Sequence, residues 1–259
     1  MTSTAPQDTR PTTLRILLIN PNTSATITAT LAARMREIAG PEVTIRPVTG
    51  RFGARYIASR AAAAIAGHAA LDALAEHVAD CDVVYLACFG DPGLAALKEV
   101  SPVPVVGMAE ASVEAACRLA RRFAIVTGGA AWAPMLKELV TGLGRSDRLA
   151  AIRTIEQSGD EIARHPGAAV DRLIEACHAC AAEDEASSVI LGGAGLAGLA
   201  PRVQGSVPVP IICSVEAGAR AALAAVDPSR RTMARSTVDS VGLSTALAKL
   251  LGGGDGGGP

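Results

Sequence analysis

The chain repeats itself at a spacing of 105 to 107 residues, and that repeat limits the folds open to it. Val83–Leu94 reads Val-Val-Tyr-Leu-Ala-Cys-Phe-Gly-Asp-Pro-Gly-Leu and aligns, 105 positions on, with Ser188–Leu199, which reads Ser-Val-Ile-Leu-Gly-Gly-Ala-Gly-Leu-Ala-Gly-Leu. Ser101–Ala111 aligns in the same way with Ser206–Ala217, Arg15–Pro21 with Arg122–Gly128, and Ile45-Arg46 with Ile152-Arg153. Solenoid repeats run at about 20–50 residues, so a period of this length means two domain-sized copies. At the head of the glycine-rich turn the first copy has a thiol, Cys88, and the second has Gly193.

Each copy alternates short β-branched runs with Ala/Leu-rich stretches of helical spacing. Strands are predicted at Leu14–Ile19, Val43–Val48, Val83–Ala87 and Val103–Val106, then at Ala124–Thr127, Ala151–Ile155, Ser188–Leu191 and Val209–Cys213. Ala25–Ile38, Arg60–Ala79 and Ala169–Ala182 carry helical spacing. Continuous apolar strands with helical crossovers make parallel sheets covered on both faces. The expected fold is therefore α/β: two pseudo-symmetric lobes, each a parallel sheet of about four strands flanked by helices, with a cleft between them. The lobes are expected at 12–118 and 119–225, with a helical segment at 226–251. Disordered tails are expected at 1–11 and at 252–259, the latter holding six glycines among eight residues.

Composition excludes several roles. A net charge of −1 gives no reason to expect nucleic acid or an anionic membrane as partner. No apolar run approaches the ~20 residues of a membrane span, and Met1–Arg10 lacks a signal-peptide apolar core. Six scattered cysteines in a chain well provided with apolar core read as reduced thiols of a cytoplasmic protein. Cys177-His178-Ala179-Cys180 lies within a predicted helix, without a second ligand pair at zinc spacing, so no metal is expected there.

In open α/β sheets ligands bind beyond the carboxyl ends of the strands. The turns there are Asn20–Ser24, Cys88–Gly93, Thr127–Gly129, Gly193–Gly195 and Cys213-Ser214, all small or polar. Their bare N–H groups suit anionic oxygens. Cys88 is a candidate nucleophile or base, its thiol ordinarily near ~8.5 and lowered wherever a helix N-terminus faces it. The alternative is a small buried hydrophobe. Cys213 is a candidate second acid, against strand-end packing. Asn20 is a candidate for a substrate or loop-ordering hydrogen bond. Arg51, Arg55, Tyr56 and Arg60 follow the second strand, and one of the arginines could grip a carboxylate. His68 is a lesser candidate for the cleft.

Asn20-Pro21-Asn22-Thr23-Ser24, Cys88-Phe89-Gly90-Asp91-Pro92-Gly93-Leu94, Gly107-Met108-Ala109-Glu110-Ala111 and Leu191-Gly192-Gly193-Ala194-Gly195 resemble the Asp/Glu/hydantoin racemase superfamily, nearest its hydantoin and allantoin racemases. The resemblance implies two pseudo-symmetric lobes, no cofactor, a small-molecule substrate and a homo-oligomer. It also implies a cysteine from each lobe flanking an acidic carbon. The first falls on Cys88 and the second on Gly193, while the family's Val-Thr-Thr turn becomes Val126-Thr127-Gly128-Gly129. The superfamily also includes arylmalonate decarboxylases, which keep only the second cysteine, and maleate isomerases, which use the first as a nucleophile. The expected function is a racemase or epimerase of a carbon acid next to a carbonyl, with Cys88 as base and water or Cys213 returning the proton. Asn20, Phe89, Gly90, Thr127, Gly128, Gly129, Gly193 and Ala194 are expected to bind the substrate. A single-thiol lyase, a nucleophilic-cysteine isomerase or hydrolase, and a non-catalytic ligand binder are the rivals.

Overall fold

The computed structural model describes residues 13–225 and 240–252. The expectations for residues 1–11 and for nearly all of 252–259 lie outside that range, as does much of the 226–251 segment. In the first half β1 (Leu14–Asn20), α1 (Ala25–Ala39), β2 (Val43–Thr49), α2 (Arg60–His77), β3 (Val83–Leu86), α3 (Leu94–Val100), β4 (Val105–Gly107) and α4 (Met108–Leu119) follow one another. The second half runs through β5 (Phe123–Gly128), α5 (Trp132–Gly142), β6 (Leu149–Ile155), α6 (Gly159–Arg164), α7 (Val170–Ala182), β7 (Ser188–Gly192), α8 (Ala200–Gln204), β8 (Ile211–Cys213) and α9 (Ser214–Ala224). A last helix, α10 (Thr245–Leu250), ends the described chain.

The eight strands form two all-parallel four-stranded sheets, in the orders β2-β1-β3-β4 and β6-β5-β7-β8. The two orders are the same once each strand is matched with its repeat partner, as the duplicated sequence requires. β4 and β8 are shorter than the apolar runs that announce them. Each begins just after a proline, Pro104 or Pro210, which has no N–H to give a ladder but whose carbonyl still accepts from Val84 or Val189, both at 2.9 Å. The second half departs from the first between β6 and α7, where α6 and a 3-10 turn at Pro166–Ala169 are inserted.

Alternation along the strands divides the core. Ile16, Leu18, Val83 and Tyr85 face a cluster that continues without a break into Phe123, Ile125, Val189 and Leu191 of the second sheet. Leu17, Ile19, Val84 and Leu86 face the opposite way, onto Leu74, Leu97 and the α10 residues Leu247 and Leu250. The shared cluster is closed by exchange: α4 packs on β7 and α9 on β3, and the two helices pack on each other. The buried Tyr85 hydroxyl donates to the Val215 carbonyl at 3.3 Å, fixing that crossing. Burying a side chain such as Leu18 or Ile125 contributes roughly 1.5–3 kcal/mol, so a continuous core holds the halves at a fixed separation. Among the described residues no helix is long and apolar enough to cross a membrane.

Candidate active site

Three strand ends from each half open on one cavity. The first half contributes Asn22 after β1, Arg55 to Ile57 after β2, and Ala87 to Phe89 after β3. The second contributes Thr127 and Trp132 at and after β5, Gly159 and Asp160 after β6, and Gly192 to Leu196 after β7. The cavity encloses about 590 Å³ of empty space, counting its mouth. Cys88 and Gly193 both face it, as their place in the repeat requires.

Cys88 is buried, with 9 % of its surface exposed. It does not stand at a helix N-terminus: α3 starts at Leu94, behind the αL cap Gly93 with φ 78°. Pro92 lies ahead of the helix. Burial, and then the charge of Asp91, push the Cys88 thiol up to about 12, the reverse of the lowering that a facing helix N-terminus would bring. The resting group is a thiol. Asp91 closes the turn with φ 45°, its N–H donating to the Cys88 carbonyl at 3.1 Å. Its carboxylate accepts from the N–H groups of Ala109 at 3.0 Å and Glu110 at 2.7 Å, binding the turn to the start of α4. Burial raises its own pKa to about 7 against those two hydrogen bonds.

The facing wall has almost no side chains. Gly193 has φ 125° and ψ 147°, a conformation all but reserved to glycine, and its N–H donates to Ser214 Oγ at 3.0 Å. A Cβ there would lie 3.7 Å from Leu196 Cδ1 and 3.8 Å from Thr127 Oγ1, so the site has room for a side chain that its backbone disfavours. Next to it, a Cβ on Gly192 would overlap the Phe89 ring. Phe89 thus crosses from the Cys88 turn to lie flat on bare backbone of the second half. Ala194 to Leu196 form a 3-10 turn whose first N–H groups have no acceptor within it. Thr127 Oγ1 donates to the Gly192 carbonyl at 2.7 Å. With that hydrogen committed, its hydroxyl can accept from a ligand N–H but not donate to a ligand oxygen.

Tyr56 ties the halves together at the mouth. Its hydroxyl accepts from Trp132 Nε1 at 3.0 Å and from the Gly159 N–H at 3.2 Å, and donates to the Gly128 carbonyl at 3.3 Å. Nearby, Arg60 pairs with Glu138 of α5.

Cys88, Phe89, Thr127, Gly193 and Ala194 line the cavity, and five other residues expected there do not. The Asn20 amide is consumed within its own turn, donating to Asn22 Oδ1 at 2.8 Å, Ser24 O at 3.2 Å and Thr28 Oγ1 at 3.0 Å. It orders the loop that presents Asn22. Gly90 turns away, with φ 149°, into a separate hollow beside Trp132 and Arg60. Gly128 is buried against Gln157, and Gly129 spends its N–H on the Ile155 carbonyl at 3.0 Å. Cys213 ends the edge strand β8, one strand spacing of about 4.8 Å beyond β7, buried at the root of α9. It is not among the residues that line the cavity. His68 is exposed on α2, edge-on to Phe52 at 4.9 Å. Cys177 and Cys180 are buried on α7, and burial pushes both thiols up to about 12.

Ile27, Ile57, Trp132, Gly159, Asp160 and Leu196 are cavity residues that sequence reasoning did not single out. The sole tryptophan was one available signal. Another was that the connection after β6 is the topological partner of the Arg55 connection.

A family model described as Asp/Glu/Hydantoin racemase matches residues 16–222. The hydantoin racemase of Pseudomonas sp. (strain NS671) is 32% identical over 220 residues, covering 85% of this chain and 88% of that protein. That of Paenarthrobacter aurescens is 34% identical over 211 residues, covering 81% and 89%. The crystal structure of an allantoin racemase from Pseudomonas fluorescens superposes with a TM-score of 0.80 at 28% identity, covering 91% of this chain and 96% of that one.

Proposed function

This chain belongs to the Asp/Glu/hydantoin racemase family, and from that premise we propose that it is a cofactor-independent isomerase of the racemase or epimerase type. It moves the proton of a carbon acid next to a carbonyl, in a hydantoin, allantoin or related amino-acid derivative, with Cys88 as the group that takes it. The observation that carries this reading is the position of Cys88: a thiol on one side of a cavity whose other side is the bare turn Gly192–Gly195.

A planar ring fits between the two sides, against Ile27, Ile57, Phe89 and Leu196. Its N–H can donate to Thr127 Oγ1, and its carbonyl oxygen meets the unbonded N–H groups at the start of the 194–196 turn. Those donors stabilise the oxygen where charge gathers as the proton leaves. In the first step the Cys88 thiolate takes the proton: the C–H bond breaks, an S–H bond forms, and the electron pair passes into the enolate. A thiol raised to about 12 is rarely ionised near neutrality, but its thiolate is the stronger base for being raised. Return of a proton from Cys88 restores the starting configuration. Return from water on the Gly193 side inverts it.

One base and solvent on the other face lead to a distinctive outcome. With a single enantiomer of a 5-substituted hydantoin in D₂O, deuterium should enter C5 with retention faster than the centre inverts. No exchange above background across hydantoins and allantoin, or equal exchange by a folded Cys88→Ala variant, overturns the reading.

Burial of the thiol favours a second reading, a single-thiol lyase. A neutral thiol is already charged with a proton to give. Loss of carbon dioxide from a malonate-like acid would break a C–C bond and leave an enolate, which the Cys88 S–H would protonate on one face. Carbon dioxide release from an aryl- or alkylmalonate separates it from the first reading.

A further inference from the structure

Two arginines, Arg51 and Arg55, stand on the connection between β2 and α2 and a third, Arg60, opens α2, and the structure treats one of the three differently. Arg51 is held by Asp72, with Nε to Oδ2 at 2.8 Å, and by Glu76 at 3.4 Å. Arg60 is held by Glu138 of α5, beside the separate hollow that Gly90 lines. Arg55 lines the cavity, and among the described residues no acceptor reaches its guanidinium. The fold supplies acids to its two neighbours and leaves Arg55 facing the space a ligand would fill.

Of the side chains lining the cavity, the other fully charged one is Asp160, on the topologically equivalent connection of the second half. Its carboxylate is engaged by Arg164 at 3.0 Å, within α6. The cavity's negative charge is thus compensated from within the protein and its positive charge is not. An anion at the mouth would meet a cation without an acid of its own among the described residues, while the buried walls of Ile27, Ile57, Phe89 and Leu196 are apolar. A guanidinium presents a planar fork of donors that matches a carboxylate better than any neutral group.

We propose that Arg55 is a specificity-determining residue, and that the substrate carries a carboxylate on its substituent, held at the mouth by Arg55 while the ring lies in the apolar part of the cavity. This rests on the carbon-acid reading of Cys88 and names the class of carbon acid it takes. Arg55 acts on binding, so its effect belongs in KM and not in kcat.

The test uses hydantoin-5-acetate and its neutral isostere hydantoin-5-acetamide, with binding read by calorimetry and turnover by deuterium uptake at C5. The wild-type protein should bind the carboxylate about tenfold more tightly than the amide, one charge-assisted contact at a partly exposed site. Arg55→Gln should bring the ratio of the two KM values to near one, and Arg55→Lys should restore part of the preference. Added salt should weaken the carboxylate preference in the wild type only. Equal binding of both compounds by the wild type, or a preference that survives Arg55→Gln, overturns the proposal whether or not turnover is seen. Arg55-dependent binding with no deuterium uptake from either compound upholds the anion site and overturns instead the carbon-acid reading.

Discussion

The same turn occurs twice in this molecule and is built in two ways. After β3 it carries Cys88 in an ordinary backbone conformation and is tied to α4 by a carboxylate, Asp91, that accepts two N–H groups. After β7 it carries Gly193 at φ 125° and is tied to α9 the other way round, by an N–H that donates to Ser214. The difference extends to the connections after β2 and β6, where Arg55, with no acceptor among the described residues, lines the cavity from one half and an Arg164-bound Asp160 from the other. Duplication set the walls of the cavity, and the side chains placed on them have diverged until one wall carries a thiol and the other is chiefly bare backbone.

The sharpest way to break that comparison is to remove the thiol. Cys88→Ser should lower C5 exchange by roughly 10²–10⁴-fold, because a hydroxyl is a far weaker base near neutrality. Unchanged melting would show that the fold is intact. Comparable turnover by the serine variant would mean that the first wall is not the reactive one. The reverse change sharpens the comparison. Gly193→Cys puts a thiol where the cavity has room, and stereoinversion should rise about 10²-fold as an oriented acid replaces water. The cost is backbone strain of about 1–3 kcal/mol, visible as a lower melting temperature. An inversion rate no higher than wild type in the folded variant would show that a group at Gly193 does not address the reacting carbon.

The smallest of these effects is per unit of pH. With its thiol held up to about 12, Cys88 stays protonated across the neutral range and its thiolate fraction grows with alkalinity. If thiolate is the base, log kcat/KM for exchange should climb with a slope near one from about pH 8 to 10, or ~10-fold per unit. Asp91, raised to about 7, gains its charge as pH passes that value and opposes ionisation of the thiol, so the slope should be shallower around neutrality. A flat profile from pH 6 to 10 would instead mark Cys88 as a proton donor.

Much of the fold was legible because it rests on local and periodic signals. Runs such as Leu14–Ile19 and Val189–Leu191 are too short for helices and apolar on both faces, and the near-constant offset showed that the second set of strands copies the first. Misjudged ends had local causes, as where Pro104 and Pro210 delay β4 and β8. The site was legible only in part. Cys88, Phe89, Thr127, Gly193 and Ala194 were found because each sits at or next to a strand end that the repeat identifies. Gly90 was overread because adjacency in a turn does not say which way a group points, and of the two roles open to Asn20 the structure shows the loop-ordering one. Arg55 could not be told from Arg51 and Arg60, since their partners Asp72, Glu76 and Glu138 come from helices whose relative placement depends on packing.

The sequence by itself determined the duplicated α/β architecture, the family, and the pairing of Cys88 with a glycine at position 193 of the repeat, because periodicity and residue identity are properties of the chain. The tertiary structure alone decided that Cys88 rests as a protonated thiol, that Cys213 stands away from the cavity, and that Arg55 is the cation left facing it. Burial, reach and pairing depend on which distant segments are brought within a few ångströms, and here that was decided by how α4 and α9 cross between the two sheets and how Tyr56 and Phe89 bridge the cleft.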